Sequence, residues 1–190
     1  MTSPFELDSY LVRRKVLKVF GASFHIYDDA GDVVGYTKQK AFKLKEDIRI
    51  FTGEDMQTEL LTIQARQVID FAAAYDIVDA QSGVKVGAAR RKGFKSILRD
   101  SWQLLDVDDN PIAQLQEDST ALALVRRFLS NLIPQRFHIA CEGGGSVEVR
   151  QHFNPFVYRL QVSIPRQVTL DRRLIMGVVS LIAAIEGRQN

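Results

Sequence analysis

Residues 170–186, "LDRRLIMGVVSLIAAIE", form the most apolar stretch of the chain and lie almost at its C-terminus. From Leu174 to Ile185 only Gly177 and Ser180 interrupt the apolar run. As a helix those residues reach about 18 Å, against a hydrocarbon layer of about 30 Å. Arg172 and Arg173 bound the run on one side, and Glu186 and Arg188 on the other, so lengthening it would carry charge into lipid. At 100° per residue, Leu174, Ile175, Val178, Val179, Leu181, Ile182 and Ile185 cover more than half of the circumference. Gly177, Ser180, Ala183 and Ala184 gather on the remainder, so the helix has no polar face. Such a helix must be enclosed, and its length favours protein over lipid. It is expected near 171–186, with Asp171 capping its start and Gly187 its end.

The remainder of the chain reads mainly as strands. "KVLKVF", "SFHIYD", "DIRIFT", "ELLTIQAR", "YDIVD", "WQLLDVD", "PIAQLQ", "RFHIAC", "SVEVRQ" and "YRLQVSI" are short and separated by turn signals such as "DDAGD", "DDNP" and "EGGGS". Many alternate between apolar and polar residues, as a sheet solvated on one face requires. An antiparallel sheet curled around the apolar helix satisfies both patterns, and closing it removes its edges. A second helix is expected from Thr120 to about Ile133, with Leu122, Val125, Leu129 and Leu132 as its apolar stripe and Pro134 as its stop. It would close one end of the barrel, or, with Arg126, Arg127 and Arg136 beside it, lie on a membrane surface.

The sequence also repeats itself. "FHIYDDAGDVVGYTKQKAFK" (24–43) lies over "YDIVDAQSGVKVGAARRKGFK" (75–95) with one inserted residue, matching Ile26, Asp28, Gly31, Val34 and Gly35 to Ile77, Asp79, Gly83, Val86 and Gly87. Two copies are too few for a solenoid and point to two related hairpins within one sheet.

Together, "RRKVLKVFGASFHIYD", "ARQVIDF", "RRKGFKSILRDSW", "IAQLQED" and "LDRRLIMGVVSLIAAIEGR" resemble a bacterial member of the LURP-one-related family, which is grouped with the Tubby C-terminal domain and the phospholipid scramblases. The resemblance covers nearly the whole chain. It implies a single Tubby C-like domain over 1–190, mainly β, with a closed antiparallel barrel of roughly twelve strands around a central hydrophobic C-terminal helix. Its relatives have diverse roles: Tubby domains bind phosphoinositides, scramblases are associated with calcium-dependent lipid movement, and members similar to this chain are mostly of unknown function. Shared fold alone transfers none of these activities.

The 190 residues carry 25 basic and 23 acidic side chains, a net charge of +2, without the excess expected of a general nucleic-acid binder. Cys141 is the single cysteine and cannot form an internal disulfide. The start "MTSPFELDSYLVRR" reads as neither a secretory signal nor a transit peptide, so a cytoplasmic location, peripheral to a membrane if lipid is bound, is the expectation.

Catalytic chemistry finds little support. His25, His138 and His152 lack i, i+4 partners, and no metal or other cofactor is expected. His25 and His138 fall in strands, where a solvent-facing imidazole is the simpler reading. "EGGGS" beside Cys141 lacks the lysine of a phosphate-binding loop and reads as a hairpin turn; Trp102 reads as core or rim packing. "DVDDNPIAQLQE" places Asp106, Asp108, Asn110 and Glu117 at calcium-loop positions 1, 3, 5 and 12, but Pro111 stands where such a loop needs glycine, so an acidic hairpin turn is the reading.

The basic residues are the better lead. The repeat puts Lys38, Lys40 and Lys43 in one copy and Arg90, Lys92 and Lys95 at corresponding places in the other, with Arg91 adjacent. Projected from one region of the barrel, they would hold anionic phospholipid or phosphoinositide headgroups by electrostatics. Lysines guarding strand edges are the plainer alternative. The functional expectation is therefore a non-catalytic module at an anionic membrane surface. A protein-interaction scaffold and scramblase-like lipid transport are the alternatives.

Overall fold

The computed structural model describes residues 3–15, 22–39, 48–66, 74–92, 101–117, 134–154 and 157–186. Twelve antiparallel strands form a closed barrel: β1 (Ser9–Arg14), β2 (Ala22–Tyr27), β3 (Val33–Gln39), β4 (Ile48–Phe51), β5 (Glu59–Ala65), β6 (Ala74–Asp79), β7 (Lys85–Arg91), β8 (Ser101–Leu105), β9 (Pro111–Glu117), β10 (Arg136–Cys141), β11 (Ser146–Gln151) and β12 (Arg159–Ser163). Each strand pairs with its neighbours in sequence, and β1 pairs with β12 to close the ring, with Tyr10 opposite Val162 and Val12 opposite Leu160. Closure leaves no unpaired edge. The strand residues turned inward are apolar, including Val12, Ile26, Ile50, Ile63, Ile77 and Leu104, all fully buried, while polar residues dominate the outer face. This is the reverse of a barrel whose outer face meets lipid.

The helix α1 (Arg172–Glu186) fills the barrel. Every residue from Leu174 to Ala184 is buried, which answers the demand of a helix without a polar face. Among the described residues no helix is long and apolar enough to cross a membrane. The small face of α1 packs tightly on the wall: a Cβ on Gly177 would lie 2.9 Å from Ile77 Cγ2 on β6. Asp171 caps α1 as expected, its Oδ1 accepting from the Arg173 backbone N–H at 2.8 Å. Gly187 and the helix expected over 120–133 lie outside the described residues.

Polar ties hold the entry of α1. Arg172 donates to the Leu7 carbonyl at 3.2 Å and to Asp8 at 2.9 Å. Arg173 donates to Asp171 at 2.6 Å and to Asp79, at the end of β6, at 2.9 Å. Asp79 is held below the ordinary carboxylate range, first by the Ser82 backbone N–H and then by Arg173. The entry of α1 therefore shares one end of the barrel with the turns that join β2–β3, β4–β5, β6–β7, β8–β9 and β10–β11. We call this the turn end, and the opposite one the far end.

The repeat seen in the sequence is a pair of equivalent hairpins, and it extends further. In β2–β3 a bulge follows Ile26, and the Asp28 N–H closes the turn on the Asp32 carbonyl at 3.0 Å. In β6–β7 a bulge follows Ile77, and the Asp79 N–H closes on the Val84 carbonyl at 2.9 Å. The hairpin β8–β9 repeats the plan, with a bulge after Leu104 and the Asp106 N–H closing on the Asn110 carbonyl at 2.9 Å. Here Asp109 takes the left-handed conformation (φ 67°) that Gly31 (φ 86°) and Gly83 (φ 70°) adopt, as aspartate tolerates better than most side chains. A fourth bulge, after Ile50, gives β4–β5 a longer turn closed by the Thr52 N–H on the Thr58 carbonyl.

Three strands differ from expectation. β1 is Ser9–Arg14, ahead of the stretch read as "KVLKVF", of which 16–20 lie outside the described residues. β3 and β7, hidden by their glycines and basic ends, were visible only as halves of the repeat.

Candidate functional site

Because β3 and β7 both run from the turn end, the cations of the repeat arrive at the far end. Lys38, near the end of β3, is exposed and sits opposite Ser23 and Arg49. Lys92, just beyond β7, is exposed, its backbone N–H bonding to the Ser101 carbonyl at 3.0 Å. Arg90 lies half-buried on the outer face and donates to Gln103 Oε1 at 2.8 Å. Arg91, opposite the buried Trp102, has the inward parity of β7 and is half-buried. Lys38 and Arg90 thus share an end of the barrel but stand four strand steps apart around its twelve strands. Lys40, Lys43 and Lys95 lie outside the described residues.

Sequence reasoning missed a further set of cations at this end. Arg13 stands one residue before the end of β1, Arg136 opens β10, Arg150 stands near the end of β11 and Arg159 opens β12. Each lies at or next to a strand's far-end terminus, outside the two repeat copies, and only the register shows them to be neighbours.

Acidic residues collect at the opposite pole. Asp28, Asp29, Asp32, Glu54, Asp55, Asp106, Asp108, Asp109 and Glu142 all lie in the hairpin turns. The cations near the turn end are paired: Arg166 and Arg172 with Asp8, Arg173 with Asp79 and Asp171, and Lys85 with Asp109. At the far end, Lys38, Lys92, Arg13, Arg136, Arg150 and Arg159 make no ion pair with a described residue. The barrel is therefore electrically polar, with an acid-rich turn end whose cations are paired and a far end where these six cations stand unpaired among the described residues, beside Lys15, Arg49 and Arg66, which are paired with Glu54, with Glu59, and with Asp76 and Asp109.

Two of the turns fold back over the outer face. Glu54 reaches Lys15 Nζ at 2.5 Å and His25 Nε2 at 2.7 Å. The Lys15 bond is the first cause, and the His25 bond the second, that hold Glu54 below the ordinary carboxylate range. His25 is consequently buried and packed against Tyr36, with ring centroids 5.2 Å apart, whereas a solvent-facing imidazole was expected. The β8–β9 turn does the same over β6 and β7: Asp109 Oδ1 meets Arg66 at 2.5 Å and Lys85 at 2.7 Å, while Asp76 meets Arg66 at 2.6 Å. Arg66 first, then Lys85, lowers Asp109 to about 2.

The calcium-loop spacing has a structural explanation. Asp106 Oδ1 accepts from the backbone N–H groups of Asp108 and Asn110 at 2.9 and 2.8 Å, closing the hairpin turn. Glu117 is buried at the other end of β9, so the four residues do not converge. Cys141 opens the "EGGGS" hairpin turn, with the Gly144 N–H on its carbonyl at 3.0 Å, and burial pushes its thiol up. His138 is half-buried on β10 and His152 is exposed beyond β11. No group of three or more His, Cys, Asp or Glu side chains among the described residues could hold a metal ion.

The architecture defines a class: a closed antiparallel barrel threaded by its own C-terminal helix. The sequence profile of the LURP-one-related family matches residues 33–183, and the chain belongs to that family. No curated protein and no solved structure matches it.

Proposed function

We propose that the protein is a non-catalytic module that sets the far end of its barrel against an anionic phospholipid surface, as a peripheral protein of the cytoplasmic face. The observation that carries this reading is the polarity of the barrel. Cations near the turn end are neutralised within the fold, whereas Lys38, Lys92, Arg13, Arg136, Arg150 and Arg159 at the far end make no ion pair with a described residue. A polar charge distribution orients a protein on a charged surface before any contact is made. Each cation near an anionic leaflet contributes about 1 kcal/mol.

The test is flotation with neutral and with anionic vesicles at low and high salt. Binding is expected to anionic vesicles only and to weaken with salt. Lys38→Glu with Lys92→Glu should weaken it at least thirtyfold, from the roughly 2 kcal/mol that two lost cations represent. Undiminished binding by that double variant would remove the repeat cations from the site.

One observation favours a second reading, a protein-interaction scaffold. Val33, Met56, Val84 and Val107 are exposed on four successive hairpins of the turn end. Absence of binding to either vesicle would move the assignment there. Lipid transport by α1 inserted in a membrane would require withdrawing its buried residues from the barrel and breaking the Arg172 and Arg173 ties.

A further inference from the structure

The far end carries two like-charge pairs that the fold leaves uncompensated. Arg13 on β1 stands directly opposite Arg159 on β12, and Arg136 on β10 directly opposite Arg150 on β11. All four share the outer face, because their strand neighbours Val12, Leu160, Val149 and Phe137 are buried inside the barrel. The four strands are contiguous, and Arg150 faces Gln161, the outward residue two positions after Arg159. Side chains opposite each other on an antiparallel pair lie about 5 Å apart at Cβ, and like charges there are destabilising. Opposed pairs on two adjacent strand pairs concentrate positive potential on one patch. Glu148, the outward residue two positions before Arg150, is the one carboxylate of β10, β11, β12 and β1 on that face near it, and it makes no ion pair with a described residue.

Two details accompany this patch. Arg159 Nε has no hydrogen-bond partner among the described residues, and an unpaired buried donor costs free energy. Arg13 and Gln161 form one side of an open groove of about 450 Å³ that Leu11 and Tyr27 continue. Asp28 and Asp29 also line the groove, in which Arg13 is the one cationic side chain.

We propose that Arg13, Arg136, Arg150 and Arg159 form a binding site for a phosphate-bearing anion of at least two negative charges. Guanidinium groups match phosphate oxygens through paired N–H donors, and arginine is the side chain suited to that contact. The proposal deepens the membrane reading, since the site shares the far end, but it rests on different residues. Its ligand chemistry is common to a phospholipid headgroup and to a soluble polyphosphate.

The test uses the full chain with inorganic tripolyphosphate, by calorimetry and by thermal melting at fixed ionic strength, and in parallel with vesicles containing phosphatidic acid. The wild type should bind tripolyphosphate and melt higher in its presence. Arg13→Gln with Arg159→Gln should weaken binding at least tenfold and abolish the shift. In anion-free buffer this variant should melt no lower than the wild type, because it relieves a like-charge pair. Arg136→Gln with Arg150→Gln, both at exposed positions, should weaken binding independently of any effect on folding at the first pair.

Lys38→Glu with Lys92→Glu should leave tripolyphosphate binding intact while weakening vesicle binding, which separates failure of the membrane reading from failure of this site. Tripolyphosphate binding without vesicle binding would support the site and make its ligand soluble. A wild type that neither binds tripolyphosphate nor melts higher with it would overturn the proposal, as would tripolyphosphate binding unchanged in both arginine variants.

Discussion

The two turns that fold back over the barrel use the same scaffold with different chemistry. In the first module the Lys15 backbone N–H bonds to the Ser23 carbonyl at 2.8 Å; in the second the Arg66 N–H bonds to the Ala74 carbonyl at 2.9 Å. Lys15 and Arg66 are thus equivalent, as are His25 and Asp76 one position into the following repeat. The third partner comes from the next hairpin turn in each case, Glu54 or Asp109. Module one is closed by a carboxylate between a lysine and an imidazole. Module two is closed by two carboxylates between an arginine and Lys85. The repeat has preserved where the outer face is fastened and exchanged the groups that fasten it. A turn that must fold back over a strand pair needs a charged anchor at one place, and several sets of charges meet that need.

The largest expected effect tests whether the modules are as interchangeable in packing as in topology. Gly35 and Gly87 are equivalent and follow the same bulge. A Cβ on Gly35 would meet only the Ile26 side chain, at 3.0 Å, whereas a Cβ on Gly87 would lie 2.5 Å from the Leu105 carbonyl oxygen and 3.1 Å from Leu174 of α1. The backbone cannot yield as a side-chain terminus can. Gly87→Ala should cost about 3 kcal/mol and Gly35→Ala about 1 kcal/mol or less, at the ends of the overpacking range. Urea denaturation would measure both, and equal losses would show that the wall at β7–β8 adjusts. The third hairpin supplies a natural control, since Ala113 occupies the corresponding place there.

Next in size is loss of an anchor. Asp76 receives both Nε and Nη2 of Arg66 and is about one-quarter exposed. Asp76→Asn should cost about 1–2 kcal/mol, the lower part of the range for hydrogen bonds to charged groups, reduced for partial solvation. Glu54→Gln, at a more exposed carboxylate, should cost less. A larger loss at Glu54 would mean that the buried His25 ring, deprived of its partner, governs module one.

The comparison also shows why part of the molecule was legible in the sequence. The helix at 172–186 could be read directly, because a segment without a polar face has to be enclosed. Most strands were legible from alternation, and the Asp28/Asp79 and Gly31/Gly83 matches fall at turns of the same construction. The third copy was hidden by two exchanges, Asp109 for the left-handed glycine and Ala113 for the packed one. The repeated cations were legible as a pattern, although their spacing around the barrel was not. Arg13 and Arg159 come from opposite ends of the chain, and only closure of β1 on β12 makes them neighbours. Periodicity fixes which face a side chain takes; register fixes what it meets.

The smallest effect, and the one that best separates the two anchors, is their dependence on pH. Glu54 is lowered, first by Lys15, and Lys15 is raised, first by Glu54. A lowered carboxylate stabilises above its unfolded value of about 4.3, and loses that contribution as pH falls through its folded value. A raised lysine stabilises fully below about 10.4, and loses the contribution as pH rises through its folded value. The difference in urea midpoint between wild type and Glu54→Gln should therefore form a plateau that closes at both ends. Asp109, lowered to about 2 first by Arg66, stabilises above about 3.9 and loses its contribution as pH falls from about 4 towards 2. Its principal partner Arg66 is raised further from an already high value and stays charged. The difference between wild type and Asp109→Asn should close on the acid side and persist above pH 10.5. If it closed there as well, Lys85 rather than Arg66 would carry the second anchor, and the two modules would differ only in the strength of one chemistry.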